Sequence, residues 1–138
     1  MANVSATKVP VAGTFNNAGA GDVSGLVTVI VSAHGAEAGG HEYRNTQDTV
    51  TLNGKQLGSF DTKVDCAALE RLSPDGNPGI FRDNNGGNPR NWCPGALVPS
   101  HTFPATLVAG SNSVSLGVNV SSVPNGSYYA TSINFSSL

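Results

Sequence analysis

Charge and sulfur are what this sequence has least of. Of its 138 residues only 12% are charged, the formal net charge is −2, and there are two cysteines, one methionine and one tryptophan. So few cations exclude the basic stripe on which nucleic-acid binding depends. No block of like charge suggests an acidic or basic tail. No apolar run approaches the roughly 20 residues that span a bilayer, so neither nucleic acid nor membrane is an expected partner. The start, Met1-Ala2-Asn3-Val4-Ser5-Ala6-Thr7-Lys8, lacks the basic and then apolar stretch of a secretory signal. The expectation is a leader already removed, or synthesis in a cytosol followed by action elsewhere, as with phage and virus surface proteins released by lysis. Nothing matches a CxxC or HExxH spacing, a nucleophile elbow or a phosphate loop, so neither a metal nor a cofactor is expected.

What is present is glycine, 17 residues of it, with abundant Ser, Thr, Asn and Val. Gly-rich turns between β-branched runs suit an all-β domain of extracellular type. The length suits one domain with a single core. Residues 1–24 read as an N-terminal arm or edge strand: Pro10 interrupts Val9-Pro10-Val11-Ala12, and Asn16 to Gly21 is loop-like. Residues 25–138 read as the domain proper. Leu26–Ala33 is too short and too β-branched for a helix and is expected as a central strand. Asp48–Leu52 and Lys55–Phe60 flank Asn53-Gly54, the strongest short hairpin signal. His101–Val108 places Pro104 at an edge or bulge. Ser113–Val120 puts Val114, Leu116, Val118 and Val120 on one face. Ser127–Phe135 closes the domain. Only Cys66–Leu72 looks helical, with Asp65 as its cap. About eight short strands at regular spacing predict a sandwich, with the jelly roll among the few topologies of that size.

The stretch Arg90-Asn91-Trp92-Cys93-Pro94-Gly95 joins the lone tryptophan, a cysteine and a turn signal. Two cysteines in a domain of this style are expected to pair, two free buried thiols being the alternative. A bridge would close a long loop rich in Gly, Asn and Pro, for about 3 to 4 kcal/mol in the chain-entropy account.

Ser32-Ala33-His34-Gly35, His41-Glu42-Tyr43, Thr51-Leu52-Asn53-Gly54, Val64-Asp65-Cys66, Arg82 and Arg90 to Gly95 occur in one order. From about residue 26 onwards that order resembles the C-terminal jelly-roll domain of the peptide-N-glycosidase F family. The resemblance implies an eight-stranded antiparallel jelly roll with one long disulfide-closed loop, bridged Cys66–Cys93. It also implies an enzyme of two jelly rolls, with its active site between them and an essential aspartate from the first. This chain has room for one roll, and Arg44 follows Tyr43 where the family tends to carry a cysteine beside its Glu-aromatic pair.

Candidate binding or interaction residues are Trp92, Arg90, Arg82, Asp83, Tyr43, Glu42 and His34. Trp92 can stack on a sugar, but packing on the disulfide is the stronger expectation. Glu42, Asp65 and Asp83 with Arg82 and Arg90 can form an acid–base cluster, although carboxylates on a polar loop are more often solvated or capping. His34 is expected to be a structural hydrogen-bonder, and His101 a surface residue. No residue is assigned a catalytic role. The functional expectation is a non-enzymatic structural or interaction protein on a virion or extracellular surface, such as a phage capsid-decoration or head-fibre component. It would be homo-oligomeric, with other virion or surface proteins as partners. Tyr128 and Tyr129 are then candidate contacts. The alternatives are a carbohydrate-binding or adhesin module with glycan partners and, behind it, a peptide-N-glycosidase-like amidase subunit.

Overall fold

The computed structural model describes residues 3–6, 11–34, 46–64, 92–93, 96–118 and 128–138. These form strands β1 (Asn3–Ala6), β2 (Val11–Asn17), β3 (Val23–His34), β4 (Gln47–Leu52), β5 (Lys55–Asp61), β6 (Ser100–Leu107), β7 (Gly110–Val118) and β8 (Tyr128–Ser137). The strands make two sheets, ordered β1-β8-β3-β6 and β2-β7-β4-β5. Every pairing is antiparallel. The all-β sandwich expected from composition is therefore present. Among the described residues no helix is long and apolar enough to cross a membrane. The segment expected to be helical, residues 66–72, lies outside the described residues, as do His41 to Arg44 and Val120.

Period-two burial builds the core. Val27, Val29, Val31 and Ala33 of β3 face Val50 of β4 and Leu116 and Val118 of β7 across the sheets, and all are buried. β3 lies between β8 and β6, the central position expected for the most apolar strand. Pro104 sits in β6, an outer strand of its sheet, where a missing N–H costs no ladder bond on the open side. The Asn53-Gly54 turn joins β4 and β5 with both residues at positive φ, 50° and 78°, as a type I′ turn requires. A bulge at Val50/Thr51 leaves Leu57 as the extra residue of β5.

Residues 1–24, expected as an arm or an edge strand, supply edge strands: among the described residues β1 and β2 are the outer strands of the two sheets. Val11 is buried, and Phe15 packs on the core. Asn16 and Asn17 belong to β2 rather than to the loop, because the Asn17 side chain supplies the polar partners that the chain reversal needs. Its Nδ2 donates to the Gly21 carbonyl (2.9 Å) and to the Leu107 carbonyl (3.4 Å), and its Oδ1 accepts the Gly19 N–H (3.0 Å).

Asn112 does the same for the β6–β7 reversal, with no solvent exposure at all. Its Oδ1 accepts the Val108 N–H at 2.9 Å and an Asn53 amide hydrogen at 2.8 Å. Its Nδ2 donates to the carbonyls of Val108 (2.9 Å) and Gly110 (3.0 Å). Asn53 in turn pairs with the backbone of Ser113 through both its main chain and its side chain. The reversals at 18–22, 53–54 and 108–109 thus share one end of the sandwich. The chain enters and leaves residues 35–45, 65–91 and 119–127 at the opposite end, hereafter the loop end.

Replacing Asn112 with Ala strips two part-buried carbonyl acceptors and two part-buried N–H donors of their partner. At about 1 kcal/mol per net bond, with a further penalty for the groups orphaned, Asn112→Ala should lower stability by about 3 kcal/mol. Urea unfolding of the purified protein reads this directly, and a loss under about 1 kcal/mol would show that water replaces the amide.

Candidate functional site

The loop end gathers the chemistry. β3 ends there on His34, whose neighbours Val31 and Ala33 face the core while Ser32 and His34 turn to the outer face. Residues two apart on a strand share a face, and the Ser32 Oγ and His34 Nε2 share a hydrogen bond of 2.9 Å. The His34 ring lies 5.7 Å from the Trp92 ring, tilted by 36°. Trp92 is half-buried. Cys93 beside it is 3% exposed and carries no free thiol, being disulfide-bonded. Its carbonyl accepts the Ala96 N–H at 3.1 Å. The structure therefore brings together His34, Trp92 and Cys93, and makes His34 a hydrogen-bonder as expected. Cys66, Glu42, Tyr43, Asp65, Arg82, Asp83 and Arg90 lie outside the described residues.

Two expectations change. His101 is not simply a surface residue: it stacks on Phe60 at 3.8 Å with 15° between the planes, joining β6 to β5. Burial there holds its imidazole below the ordinary histidine value. Of the two tyrosines proposed as contacts, Tyr129 is 1% exposed and belongs to the core. It occupies an inward position of β8, packed in the core. Tyr128 pairs with His34 across the strands.

Sequence reading missed a polar cluster inside the same end. Asp48 has no exposure. Its Oδ1 accepts the Thr46 hydroxyl at 2.8 Å, and its Oδ2 is buried with no hydrogen-bond partner. The Thr46 N–H donates to the Thr62 Oγ1 at 2.8 Å, and the Thr62 hydroxyl returns to the Thr46 carbonyl at 3.2 Å. The signal was available, since Asp48, Val50 and Leu52 alternate and so share the inward face. Burial pushes the Asp48 carboxyl from 3.8 up to about 6; the Thr46 bond opposes this, and the charge of Asp61 adds to it. A cavity of about 20 Å³ lined by Val31, Thr62 and His101 lies in this region, room for one water. Among the described residues no three His, Cys, Asp or Glu side chains converge as a metal site.

The fold and this end define a two-sheet β-sandwich domain that gathers His34, Trp92 and Cys93 at one end. Residues 6–138 match the family "Peptide-N-glycosidase F, C terminal", and the chain belongs to it. Solved structures agree in fold. PNGF-II superposes with a TM-score of 0.68 at 22% identity, covering 89% of this chain and 24% of that one. Recombinant peptide:N-glycanase F gives 0.59 at 20% identity, covering 95% and 45%. PNGase F, a glycosylasparaginase from Flavobacterium meningosepticum, gives 0.60 at 17% identity, again covering 95% and 45%. The chain thus spans about a quarter of the first and under half of the other two. No curated protein matches the sequence.

The Asp48 carboxyl generates a pH prediction. The folded protein holds this proton more tightly than the unfolded chain does. The contribution is therefore intact below about pH 4, is lost as the pH rises through about 6, and is constant above that. The loss amounts to about 3 kcal/mol. Asp48→Asn keeps an acceptor for Thr46 and cannot ionise. Its unfolding free energy, measured from pH 4 to pH 8 beside that of the parent, should lack this decline and exceed the parent's at pH 8. Parallel curves would show that Asp48 is ionised without penalty.

Proposed function

We propose that this domain is a non-enzymatic interaction module that recognises the glycan of an N-linked glycoprotein at its loop end. The carrying observation is the half-buried Trp92 ring beside the His34–Ser32 pair. An aromatic face accepts sugar C–H groups, while a hydroxyl and an imidazole supply directional hydrogen bonds to sugar hydroxyls. The substrate class comes from the similar proteins, one of which is described as a peptide-N(4)-(N-acetyl-β-D-glucosaminyl) asparagine amidase. Arg90, Arg82, Asp83, Tyr43 and Glu42 belong to the same proposal as further contacts on the flanking segments. An amidase reading requires a second domain or chain to complete the site, in keeping with the fraction of those enzymes that this chain spans.

The finer architecture is part of the proposal. The strand order β1-β8-β3-β6 over β2-β7-β4-β5, with a sheet change at every connection except β4–β5, supports a jelly roll. Cys66 is proposed as the partner of Cys93, closing the long loop beneath Trp92. Display on a virion or extracellular surface remains a proposal grounded in composition, and co-sedimentation with particles from the source tests it.

Titration of an N-linked glycopeptide into the protein should release heat in the parent. Binding should weaken at least tenfold in Trp92→Ala and in His34→Ala, both folded by circular dichroism. Binding that ignores both substitutions, or no binding, rejects glycan recognition at this end. Release of glycan by the chain alone rejects the non-enzymatic part.

A further inference from the structure

Asn53 and Gly54 are both exposed, and nothing lies within 4 Å of where a Gly54 Cβ would stand. An asparagine followed by an unhindered glycine is the most readily deamidated pair in a polypeptide, because the glycine nitrogen can attack the side-chain amide carbon. Asparagine is accordingly counted among the thermolabile residues. Here the turn stands in the way. Ring closure needs the Gly54 nitrogen eclipsed with Cβ about the Asn53 Cα–C bond. A type I′ turn sets ψ of its first central residue near about +30°, which puts that nitrogen and Cβ roughly 150° apart. Asn53, with φ of 50°, is held in this arrangement from β7. Its N–H donates to the Ser113 carbonyl at 2.8 Å. Its Oδ1 accepts the Ser113 N–H at 2.9 Å, and its Nδ2 donates to Asn112 Oδ1 at 2.8 Å. Rotating the Cα–C bond while these bonds hold would swing Lys55 away from Leu52, its partner across the hairpin.

We infer that Asn53-Gly54 is a site of spontaneous deamidation that the native hairpin keeps shut and that opening of the hairpin releases. Once the turn is free to rotate, the Gly54 nitrogen gives its proton to solvent base and bonds to the Asn53 Cγ. The Cγ–Nδ2 bond breaks, and the nitrogen takes up a proton and departs as ammonia. Water then opens the five-membered imide. Attack at Cγ gives an aspartate; attack at the main-chain carbonyl gives an isoaspartyl link that routes the chain through Cβ. No oxidation or reduction is involved. Neither product fits the native turn. The aspartate sets a carboxylate oxygen, with no hydrogen to donate, against Asn112 Oδ1. Asn112 cannot turn over to offer its Nδ2 instead, because the Val108 and Gly110 carbonyls already hold it. The isoaspartyl link lengthens a two-residue turn by one backbone carbon and leaves no side-chain amide for Asn112 or Ser113. Asn112 therefore guards its neighbour: the reaction is closed while the clamp holds, and one turnover outside the fold marks the chain permanently.

Peptide mass mapping of protein held at pH 8 reads the conversion at each Asn-Gly pair. The chain has two more such pairs, Asn85-Gly86 and Asn125-Gly126, which serve as references in urea. Asn53 should convert as readily as these two in urea, and at least tenfold more slowly in the native protein, where only transient opening exposes it. Asn112→Ala removes the acceptor of the Asn53 Nδ2. It should speed conversion of Asn53 under native conditions more than Val29→Ala does, a core truncation that leaves the clamp in place. Asn53→Asp reproduces one product, and its ratio of folded to unfolded protein should fall at least tenfold in urea unfolding. Equal rates for Asn53 in the native protein and in urea overturn the inference. So do an Asn53 that stays intact in urea while the reference pairs convert, a Val29→Ala protein that converts as fast as Asn112→Ala, or an Asn53→Asp protein as stable as the parent.

Discussion

Asn112 has no contact with water, so its amide must find every hydrogen-bond partner inside the protein. It finds them in Val108, Gly110 and Asn53. An amide left unpaired there would cost several times what one made bond contributes. The chain is thereby held to one path where it passes from β6 in one sheet to β7 in the other, and the β4–β5 hairpin is tied to that crossing. Asn17 repeats the device where β2 gives way to β3. With these crossings fixed, the registers of β3 with β6 and of β2 with β7 follow, and so does the set of valines and leucines that face inward. A slip of one residue would turn that whole set to solvent.

A sandwich pinned at one end can carry long connections at the other, and the chain does so. The cost of that freedom is visible in Asp48. Keeping this carboxyl inside the loop end costs about 3 kcal/mol at neutral pH, comparable with what burying one leucine contributes, about 1.5 to 3 kcal/mol. The core has apolar burial to offset one such group, so a buried polar cluster persists beside the site without unfolding the domain. The same end holds His34, Trp92 and Cys93, with β3 supplying a rigid floor for residues that otherwise sit on irregular chain. Binding residues are disproportionately carried on irregular segments that a rigid scaffold positions.

The reading of individual residues separates local from non-local information. Asn53-Gly54 announced its hairpin because the positive φ angles are a property of those two residues alone. β3 and β7 were legible from period two, and Pro104 from its missing N–H. The order of motifs ending in Trp92-Cys93-Pro94-Gly95 was sufficient for the family. Asn16 and Asn17 read as loop residues because asparagine favours turns locally, while the role of Asn17 depends on Leu107, ninety positions away. Tyr129 reads as a surface contact along the chain because the Tyr128-Tyr129 pair cannot say which ring faces inward until β8 is set against β3. His101 needed Phe60 from another sheet before its burial became visible.

By itself, then, the sequence determined what depends on neighbours along the chain: the all-β class, the tight turn, the alternation of the core strands, and membership of a family through an ordered set of motifs. Only the tertiary structure decided what depends on distance in space. It made the first residues the outer strands of both sheets, because their partners β8 and β7 come from the far end of the chain. It buried Asp48 with one carboxylate oxygen unpartnered, because the facing sheet excludes water.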